Sequence, residues 1–240
     1  ETIDLELQIK DLETIDKRLE AVNKKVRIGD KSSIKENEVL KKYKLHIENG
    51  FSARSLNIDK KEKFLINNLM LLTNKPVMYV CNVNESDAIK GNKYVDLVRK
   101  KIENENSELL IIAAETESDI MELDSFRERK EFLDDIGLKE PGLNKIIKSA
   151  YKLLNLRTFF TAGPKEVRAW TIKAGCNAPQ AAGVIHSDFQ KGFIRAEVIK
   201  YEDFIKYGSE SACKDLGKLS IEGKDYIVDD GDIIHFRFNV

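Results

Sequence analysis

The stretch that most constrains the fold is residues 75–85, with the sequence KPVMYVCNVNE. Residues 77–81 are a continuous run of mostly β-forming apolar side chains, and polar residues end the run at Asn82. A short, wholly apolar run is typical of a strand buried on both faces, as in a parallel sheet covered by helices. Ligands of such sheets bind just beyond the carboxyl ends of the strands. Asn82 and Glu85 are therefore a candidate binding site, although they equally suit a strand end followed by a polar loop.

Asn82 and Glu85 have the spacing of Asn and Asp in the Asn-Lys-x-Asp motif, which P-loop GTPases carry after a strand. In that motif the carboxylate accepts hydrogen bonds from the ring N–H and the exocyclic amine of guanine. Adenine presents a ring acceptor at the same edge, so a carboxylate there faces a lone pair instead of a donor. The longer Glu85 side chain and the missing lysine therefore predict a weakened preference for guanine.

A second apolar run, at residues 109–113, follows an amphipathic helix that we predict over residues 94–103. Strand, helix and strand in this order form a βαβ unit. The second run ends in the small residues Ala113 and Ala114. Small side chains at this position either let the backbone approach a base closely or serve only the packing of a strand end, and the sequence leaves both interpretations open.

Apolar residues recur every seven positions near the start of the chain, at Leu5, Leu12, Leu19 and Val26. This narrow seam on a charged helix is typical of a coiled coil. Ser33 and Glu36 have capping-box spacing and predict the start of a return helix, whose own seam is Leu40, Tyr43 and Ile47. Two helices joined by so short a turn pack antiparallel. Such an arm acts either as a spacer or as a docking site for a partner.

The remaining periodicity predicts a helix over residues 59–72, short surface helices within 117–133 and a helix over 143–154. From residue 156 the period changes to that of two strands, followed by a helix over 179–189, a strand, a short helix and a final pair of strands around Gly223 and Gly231. His186 falls within that predicted helix and has no nucleophile signature nearby, which favours a structural or RNA-contacting role.

Two long stretches make a resemblance specific. One is GLNKIIKSAYKLLNLRTFFTAGPKEVRAWTIKAGCNAPQAAGVIHSDFQKGFIRAEV, and the other is the C-terminal GKDYIVDDGDIIHFRFNV. Together with KPVMYVCNVNE, they closely resemble the YchF/Obg-like ATPase family, ribosome-associated members of the Obg group of TRAFAC-class P-loop NTPases. The resemblance covers essentially all of the chain.

The resemblance implies an α/β fold. It consists of a partial, Rossmann-like P-loop NTPase domain with an inserted α-helical coiled-coil hairpin, followed by a ubiquitin-like β-grasp module, the TGS domain. On this basis we expect the hairpin at residues 1–50, the C-terminal part of the nucleotide-binding domain at 51–155 and the TGS domain at 156–240.

The same resemblance implies a ribosome-associated protein that binds and hydrolyses ATP, with relaxed or adenine-preferring base recognition. Asn82, Val83 and Glu85 would contact the base, with Ala113 and Ala114 opposite them. The implied cofactor is ATP or GTP with magnesium in the full-length protein, and no catalytic or metal-binding residue is assigned to this stretch. The alternative is a non-enzymatic ribosome- or RNA-binding module, made of the coiled-coil arm and the TGS domain, that nucleotide only regulates.

A phosphate-binding loop would read G-x-x-x-x-G-K-[ST], and this pattern does not occur in the sequence. Lys follows Gly only at positions 218 and 224, where Leu219 and Asp225 come next. In the family, the phosphate- and magnesium-binding segments precede the point at which this chain begins. We therefore expect the chain to match the C-terminal two-thirds of a family member and to be inactive alone.

Composition limits the partners. The net charge is −1, and residues 156–240 carry 12 basic and 12 acidic side chains, so no broad basic face is expected. RNA contact would have to come from a local patch, for which the candidates are Lys165, Arg168, Lys191 and Arg195. Ordinary solvated surface is the alternative for these residues. The three widely spaced cysteines and the lack of a membrane span favour a cytoplasmic protein, and the implied partner is the ribosome, through its large subunit.

Overall fold

The computed structural model describes residues 2–105, 107–163 and 166–239. The fold is mixed α/β, and the chain divides into two compact units, residues 1–77 and 78–240. None of the helices in these described ranges combines the length and the apolar character needed to cross a bilayer. The predicted divisions at 50/51 and 155/156 stay predictions.

The first unit is built on a helical hairpin of α1 (Thr2–Val26) and α2 (Lys31–Glu48). The helices are antiparallel, as predicted, because Arg18 contacts Glu36 at 2.6 Å while Asp16 contacts Lys44 at 2.7 Å. The predicted α2 seam of Leu40, Tyr43 and Ile47 is buried with Ile15 and Val22 of α1, and the predicted α1 residues Leu12, Leu19 and Val26 pack partly buried against this core. Its first position does not, since Leu5 is exposed.

The return helix is capped by Asp30, so the predicted cap at Ser33 is wrong. The Asp30 carboxylate accepts the Ser33 N–H at 3.0 Å and is also hydrogen-bonded by the hydroxyls of Ser32 and Ser33. These hydrogen bonds lower the pKa of Asp30 to about 2, and the bond from the Ser33 hydroxyl has the largest effect. A carboxylate is a good acceptor at a helix N-terminus, so the helix begins at Lys31 instead of after Ser33.

The helix predicted over residues 59–72 is shorter than expected. The α3 helix spans Lys60–Ile66, and short 3-10 turns follow at Asn67–Leu69 and Leu72–Asn74. Met70 adopts a left-handed backbone with φ of 52°, which no helix can continue through. Phe64, within α3, is exposed.

The second unit opens with the predicted βαβ arrangement. Strands β1 (Met78–Asn82) and β2 (Glu108–Ile112) pair in parallel, and α4 (Lys93–Lys101) connects them. The prediction that β1 is buried on both faces is wrong, because Val80 is 40% exposed. In the described residues this sheet has two strands only, too few for helices to enclose both faces.

Three helices follow the βαβ unit: α5 (Ala114–Glu122), α6 (Phe126–Asp135) and α7 (Gly142–Leu153). The first two occupy the region of the short surface helices predicted within 117–133, and α7 matches the helix predicted over 143–154. Ala113, Ile120 and Leu133 form a small core with Ala88 and Leu138. The α7 helix packs against β2 and leads directly into the last module.

The last module is a five-stranded mixed sheet, as the β-grasp prediction requires. Its strands are β3 (Leu156–Ala162), β4 (Val167–Lys173), β5 (Phe193–Lys200), β6 (Leu219–Glu222) and β7 (Asp232–Phe238). The spatial order is β4-β3-β7-β5-β6, and the first and last strands, β3 and β7, lie in parallel at the centre. The other pairs are antiparallel.

Helices α8 (Ala178–Ile185) and α9 (Ser187–Lys191) cover one face of this sheet. The single helix predicted over 179–189 is wrong, because His186 is extended, with φ of −159°, and separates the two helices. His186 caps α9 by accepting the Asp188 N–H on its Nδ1. Helices α10 (Tyr201–Tyr207) and α11 (Glu210–Asp215) connect β5 to β6.

Candidate nucleotide-base site

The candidate site lies where β1 and β2 end. The register pairs Asn82 with Ile112, so the two strands end side by side. One further backbone bond, from the Val83 N–H to the Ile112 carbonyl at 2.8 Å, carries the pairing past the end of β1. The loop after β1 and the loop after β2 therefore leave the sheet together, as the βαβ prediction required.

Asn82 joins these two loops. Its Oδ1 accepts the Ala114 N–H at 3.0 Å. Ala114 opens α5, and the preceding Ala113 has no side chain able to cap that helix. Asn82 therefore supplies from the neighbouring loop the acceptor that a helix N-terminus requires. Ala113 is buried and Ala114 is exposed, so the chain turns at Ala113 and presents its backbone at Ala114.

Glu85 begins a short 3-10 turn, Glu85–Asp87, three residues after Asn82. Its side chain is exposed, and the Thr116 hydroxyl lies 3.5 Å from its Oε2. That distance is at the upper limit of a hydrogen bond, so Thr116 orients the carboxylate only weakly. The Glu85 carboxylate therefore keeps acceptor capacity for a ligand.

The structure adds residues that the sequence interpretation missed. Thr116 is buried in the first turn of α5, below Glu85. Asn92 donates to the Asp87 carboxylate at 2.8 Å, and its Oδ1 caps α4 by accepting the N–H groups of Tyr94 and Val95. The Asn92 cap was detectable, because Asn directly before an amphipathic run is a helix-start signal. Thr116 carries no such signal, since its role depends on the pairing of the two strands.

The arrangement can hold the edge of a planar heterocycle. It offers an exposed carboxylate, an amide fixed against a neighbouring loop and the apolar Val83 at the position of the motif's lysine. No cluster of three or more His, Cys, Asp or Glu side chains suited to a metal ion occurs within the described ranges.

Two of the candidate RNA-contacting residues, Arg168 and Arg195, lie on opposite faces of the sheet. Lys165 lies outside the described residues. Arg168 stacks over the Trp170 ring, 4.1 Å from its centre, and Trp170 donates to the Thr161 hydroxyl at 2.9 Å. Lys191 is exposed at the end of α9. Arg195 lies on β5, where it pairs with Glu197 at 3.2 Å.

The register shows why Arg168 and Arg195 are separated. Trp170 pairs with the core residue Phe159 and packs on the helix-covered face, so Arg168, two residues before it, points to the same face. Arg195 directly precedes the buried Ala196 and points to the opposite face. There it lies beside Arg237, and both guanidinium groups hydrogen-bond Glu197. These bonds, led by that of Arg237, lower the pKa of Glu197.

A polar cluster near the end of the chain was also missed. Lys200 contacts the Asp232 carboxylate at 2.7 Å, Asp229 at 2.9 Å and the Tyr226 hydroxyl at 3.0 Å, while Tyr226 donates to Asp232 at 2.7 Å. Burial alone would lower the pKa of Lys200, but these hydrogen bonds outweigh it and raise that pKa. Asp232 is fully buried, and both of its carboxylate oxygens accept hydrogen bonds. The cluster therefore holds the turn before β7 in place.

Comparison with known proteins agrees with the geometry. A family model described as "YchF-GTPase_C: Protein of unknown function" matches residues 156–239. The "Ribosome-binding ATPase YchF" of Escherichia coli O157:H7 is 51% identical over 240 residues, which is 100% of this chain and 66% of that protein. The protein of the same name from Bacillus subtilis (strain 168) is 46% identical over 242 residues, with the same two shares.

A solved structure shows the same fold. The chain described as "Structure of the Schizosaccharomyces pombe YchF GTPase" superposes with a TM-score of 0.86 at 35% identity, and the match covers 98% of this chain and 64% of that one. This chain thus spans 66% of the length of the curated relatives, just under two thirds. The strand-end loops, the β-grasp module and these similarities over the whole chain lead to one conclusion: the chain belongs to the YchF family.

Proposed function

We propose that the full-length protein binds a purine nucleotide at the loops after β1 and β2 and hydrolyses ATP. The observation that carries the proposal is the hydrogen bond from the Ala114 N–H to Asn82 Oδ1, which fixes the two loops at one edge of the sheet. Relatives that are about half identical to this chain are named ribosome-binding ATPases, and this supports the assignment of ATP hydrolysis.

Each loop residue has a separate task in this proposal. Asn82 holds the loops together, and Val83 provides an apolar contact for the base. Glu85 presents its carboxylate to the base edge. Because a carboxylate accepts only, it favours the ring N–H of guanine over the ring acceptor of adenine, but the flexible Glu85 has one weak hydrogen bond to hold it there. We therefore propose relaxed or adenine-preferring recognition, with Ala113 and Ala114 opposite.

The groups that bind the phosphates and magnesium are not assigned to residues of this chain. The sequence has no G-x-x-x-x-G-K-[ST] pattern, and catalysis of phosphoryl transfer depends on backbone amides, a lysine and Mg²⁺ around the phosphates. We propose that these groups belong to the part of the relatives that this chain does not span. Residues 1–240 alone should then bind ATP weakly and hydrolyse none.

The proposed partner is the ribosome in the cytoplasm, with contacts to the large subunit and to RNA. Support comes from the names of the relatives, which are ribosome-binding proteins. The β-grasp module is a proposed docking element, because the resemblance associates such modules with RNA or ribosome binding.

A second function is favoured by one observation on the hairpin. Ile28, at the turn between α1 and α2, is 86% exposed. Apolar side chains at the end of a long arm are suited to a protein partner. In this alternative, the arm and the β-grasp module dock on a ribosome and nucleotide only regulates them.

One experiment separates the two functions. ATP binding and turnover are measured for the full-length protein, with and without ribosomes, and for its Asn82→Ala variant. Asn84→Ala is the matched control, because Asn84 lies in the same loop and its side chain caps nothing. The enzymatic proposal expects turnover in the wild type and in the control, with ATP affinity lowered roughly fivefold in Asn82→Ala, as for one lost hydrogen bond of about 1 kcal/mol. Binding without turnover would support the regulated module and overturn the enzyme.

A further inference from the structure

The helices α8 and α9 do not cover the whole face of the β-grasp sheet. Phe159 and Ile234, on the central strands β3 and β7, are fully buried, whereas Trp170 and Phe238 are only half-buried. A cavity of about 530 Å³ opens beside these two half-buried side chains, on the helix-covered face. A cavity of this size can hold a small molecule.

The cavity has an apolar and largely aromatic wall. Its lining includes Trp170, Ile185, Phe189, Ile234, Phe236 and Phe238. The wall is held by contacts within the fold, because Phe189 stacks on Phe238 with ring centres 3.7 Å apart, and Trp170 Nε1 donates to the Thr161 hydroxyl at 2.9 Å. Since the indole N–H is already used, the aromatic rings offer a ligand mainly apolar surface.

Two opposite charges lie at the rim of this cavity. Glu166 directly precedes β4 and is one of the lining residues. The Arg168 guanidinium lies over the Trp170 ring, 4.1 Å from its centre. Alternate residues of an extended strand share a face and are roughly 7 Å apart along the strand. Glu166 and Arg168 are therefore neighbours on the side of β4 that Trp170 presents to the cavity.

Both charged groups are available to a ligand. Glu166 and Arg168 are exposed and, within the part of the chain that the structure describes, neither side chain forms an ion pair or a hydrogen bond. Stacking on Trp170 uses the flat face of the guanidinium and leaves its N–H groups free to donate. The rim therefore presents a carboxylate that only accepts hydrogen bonds and a guanidinium that only donates them.

We propose that this cavity binds a free α-amino acid with a large apolar side chain. The ammonium group pairs with Glu166, the carboxylate accepts from Arg168, and the side chain enters the aromatic cavity. A free amino acid carries both charges on the carbon atom that bears its side chain, which matches opposite charges at the rim of an apolar cavity. A residue within a peptide chain lacks both charges, because its amine and carboxyl groups are joined in amides.

The amino-acid site is independent of the proposed nucleotide site. It uses residues of β4, β7 and the helices α8 and α9, and none of the residues of the loops after β1 and β2. Either proposal can therefore fail while the other stands.

The test titrates L-phenylalanine into the 240-residue chain. Trp170 is the only tryptophan of the sequence, so its fluorescence reports on the cavity and should change saturably. Phenylalaninamide lacks the carboxylate and N-acetylphenylalanine lacks the ammonium group, so each should bind about three- to fivefold more weakly, as for one lost exposed ion pair. N-acetylphenylalaninamide lacks both charges and should bind weaker than L-phenylalanine by roughly tenfold or more.

Variants assign each charge to its partner. Glu166→Gln should weaken binding of L-phenylalanine about three- to fivefold and leave that of N-acetylphenylalanine unchanged, because this ligand has no ammonium group. Arg168→Gln should weaken binding of L-phenylalanine by the same factor and leave that of phenylalaninamide unchanged. Titration calorimetry gives the same dissociation constants without using the Trp170 signal, which Arg168→Gln itself alters.

Lys173→Gln is the matched control, because Lys173 is exposed on the same strand and points to the opposite face of the sheet. This variant should bind L-phenylalanine as the wild type does, and unfolding midpoints check that all three variants are folded. The proposal is overturned if L-phenylalanine causes no saturable change, or if N-acetylphenylalaninamide binds as tightly as L-phenylalanine. It is also overturned if Lys173→Gln weakens binding as much as Glu166→Gln and Arg168→Gln do.

Discussion

Asn82 Oδ1 accepts the Ala114 N–H at 3.0 Å, and this bond joins two loops that are 32 residues apart in the sequence. It does so at the carboxyl edge of a parallel strand pair, where ligands of such sheets bind. The Asn82 side chain therefore has a structural partner within the fold, whereas the exposed Glu85 carboxylate has only one long contact, to the Thr116 hydroxyl. In the proposed function, Asn82 positions the two loops and Glu85 contacts the base.

The hairpin should depend strongly on Asp11. This carboxylate is 1% exposed and accepts the Leu72 N–H at 2.6 Å, the Thr73 N–H at 2.8 Å and the Thr73 hydroxyl at 2.7 Å. Asp11→Ala leaves these donors without an acceptor, so we expect a loss of roughly 3 kcal/mol in the free energy of unfolding. Denaturant unfolding measures it. Glu20→Ala, on the exposed side of the same helix, should stay within about 0.5 kcal/mol, and equal losses in the two variants would contradict the assignment.

Tyr43→Phe should be tolerated or stabilising. Tyr43 is 1% exposed, and its hydroxyl has no hydrogen-bond partner in the described part of the chain. Burial, aided by the charge of Glu62, raises the pKa of this phenol. Removing an unsatisfied buried hydroxyl removes its desolvation cost, so stability should rise by up to about 1 kcal/mol. Thermal unfolding of the wild type and of Tyr43→Phe measures this difference in stability. A clear loss of stability in Tyr43→Phe would show that the Tyr43 hydroxyl has a hydrogen-bond partner.

Gly192 should tolerate no side chain. A Cβ at this position would clash with the Asn239 carbonyl oxygen, which belongs to the backbone beside the end of β7. The Asn239 N–H also donates to the Gly192 carbonyl at 2.9 Å, so neither segment can move without losing that bond. Gly192→Ala should cost about 2 kcal/mol or more. Gly223→Ala is the control, because its Cβ meets nothing within 4 Å, and similar stability of the two variants would refute the contact.

Much of this architecture was predictable, and the failures have local causes. The βαβ unit, the antiparallel hairpin and the succession of strands along the last module follow from hydrophobic periodicity and the family resemblance. The helix over 59–72 failed because the left-handed backbone of Met70 stops it. The helix over 179–189 failed at His186 for a similar reason, since a histidine side chain caps a new helix there. Neither Met70 nor His186 belongs to the residue types that usually end a helix, so hydrophobic periodicity alone could not show where these two helices are interrupted.

The base site was predictable in part. The spacing of Asn82 and Glu85 made them candidates. The contacts that join the loops, from Ala114 to Asn82 and from Thr116 to Glu85, depend on which strands pair. Two of the predicted RNA-contacting residues were not brought together by the fold. Arg168 and Arg195 are both arginines of the last module. Because side chains alternate between the two faces of a strand, Arg168 on β4 and Arg195 on β5 lie on opposite faces of the sheet. Charge counted along a sequence does not show which face of a sheet it occupies.

Stability should fall at high pH through Tyr226. Burial, together with its hydrogen bond to Asp232, raises the pKa of Tyr226 to about 12. An unfolded tyrosine titrates near pH 10, so the folded state favours the neutral phenol, and this stability is present below about pH 10 and lost between about 10 and 12. Tyr226→Phe should therefore be less stable than wild type at pH 8 by about 1 kcal/mol, and the gap should narrow as the pH rises. Unfolding curves at several pH values measure the gap, and a constant gap would exclude this titration.

The most direct test of the base site is competition between ATP and GTP for the full-length protein and its Glu85→Asp variant, measured as dissociation constants. Wild type should bind ATP at least as tightly as GTP. Glu85→Asp restores the carboxylate of Asn-Lys-x-Asp but not its lysine, since Val83 stands there, so GTP affinity should change by only a few fold. A strong GTP preference in the wild type, or its appearance on Glu85→Asp alone, would contradict base recognition by this loop.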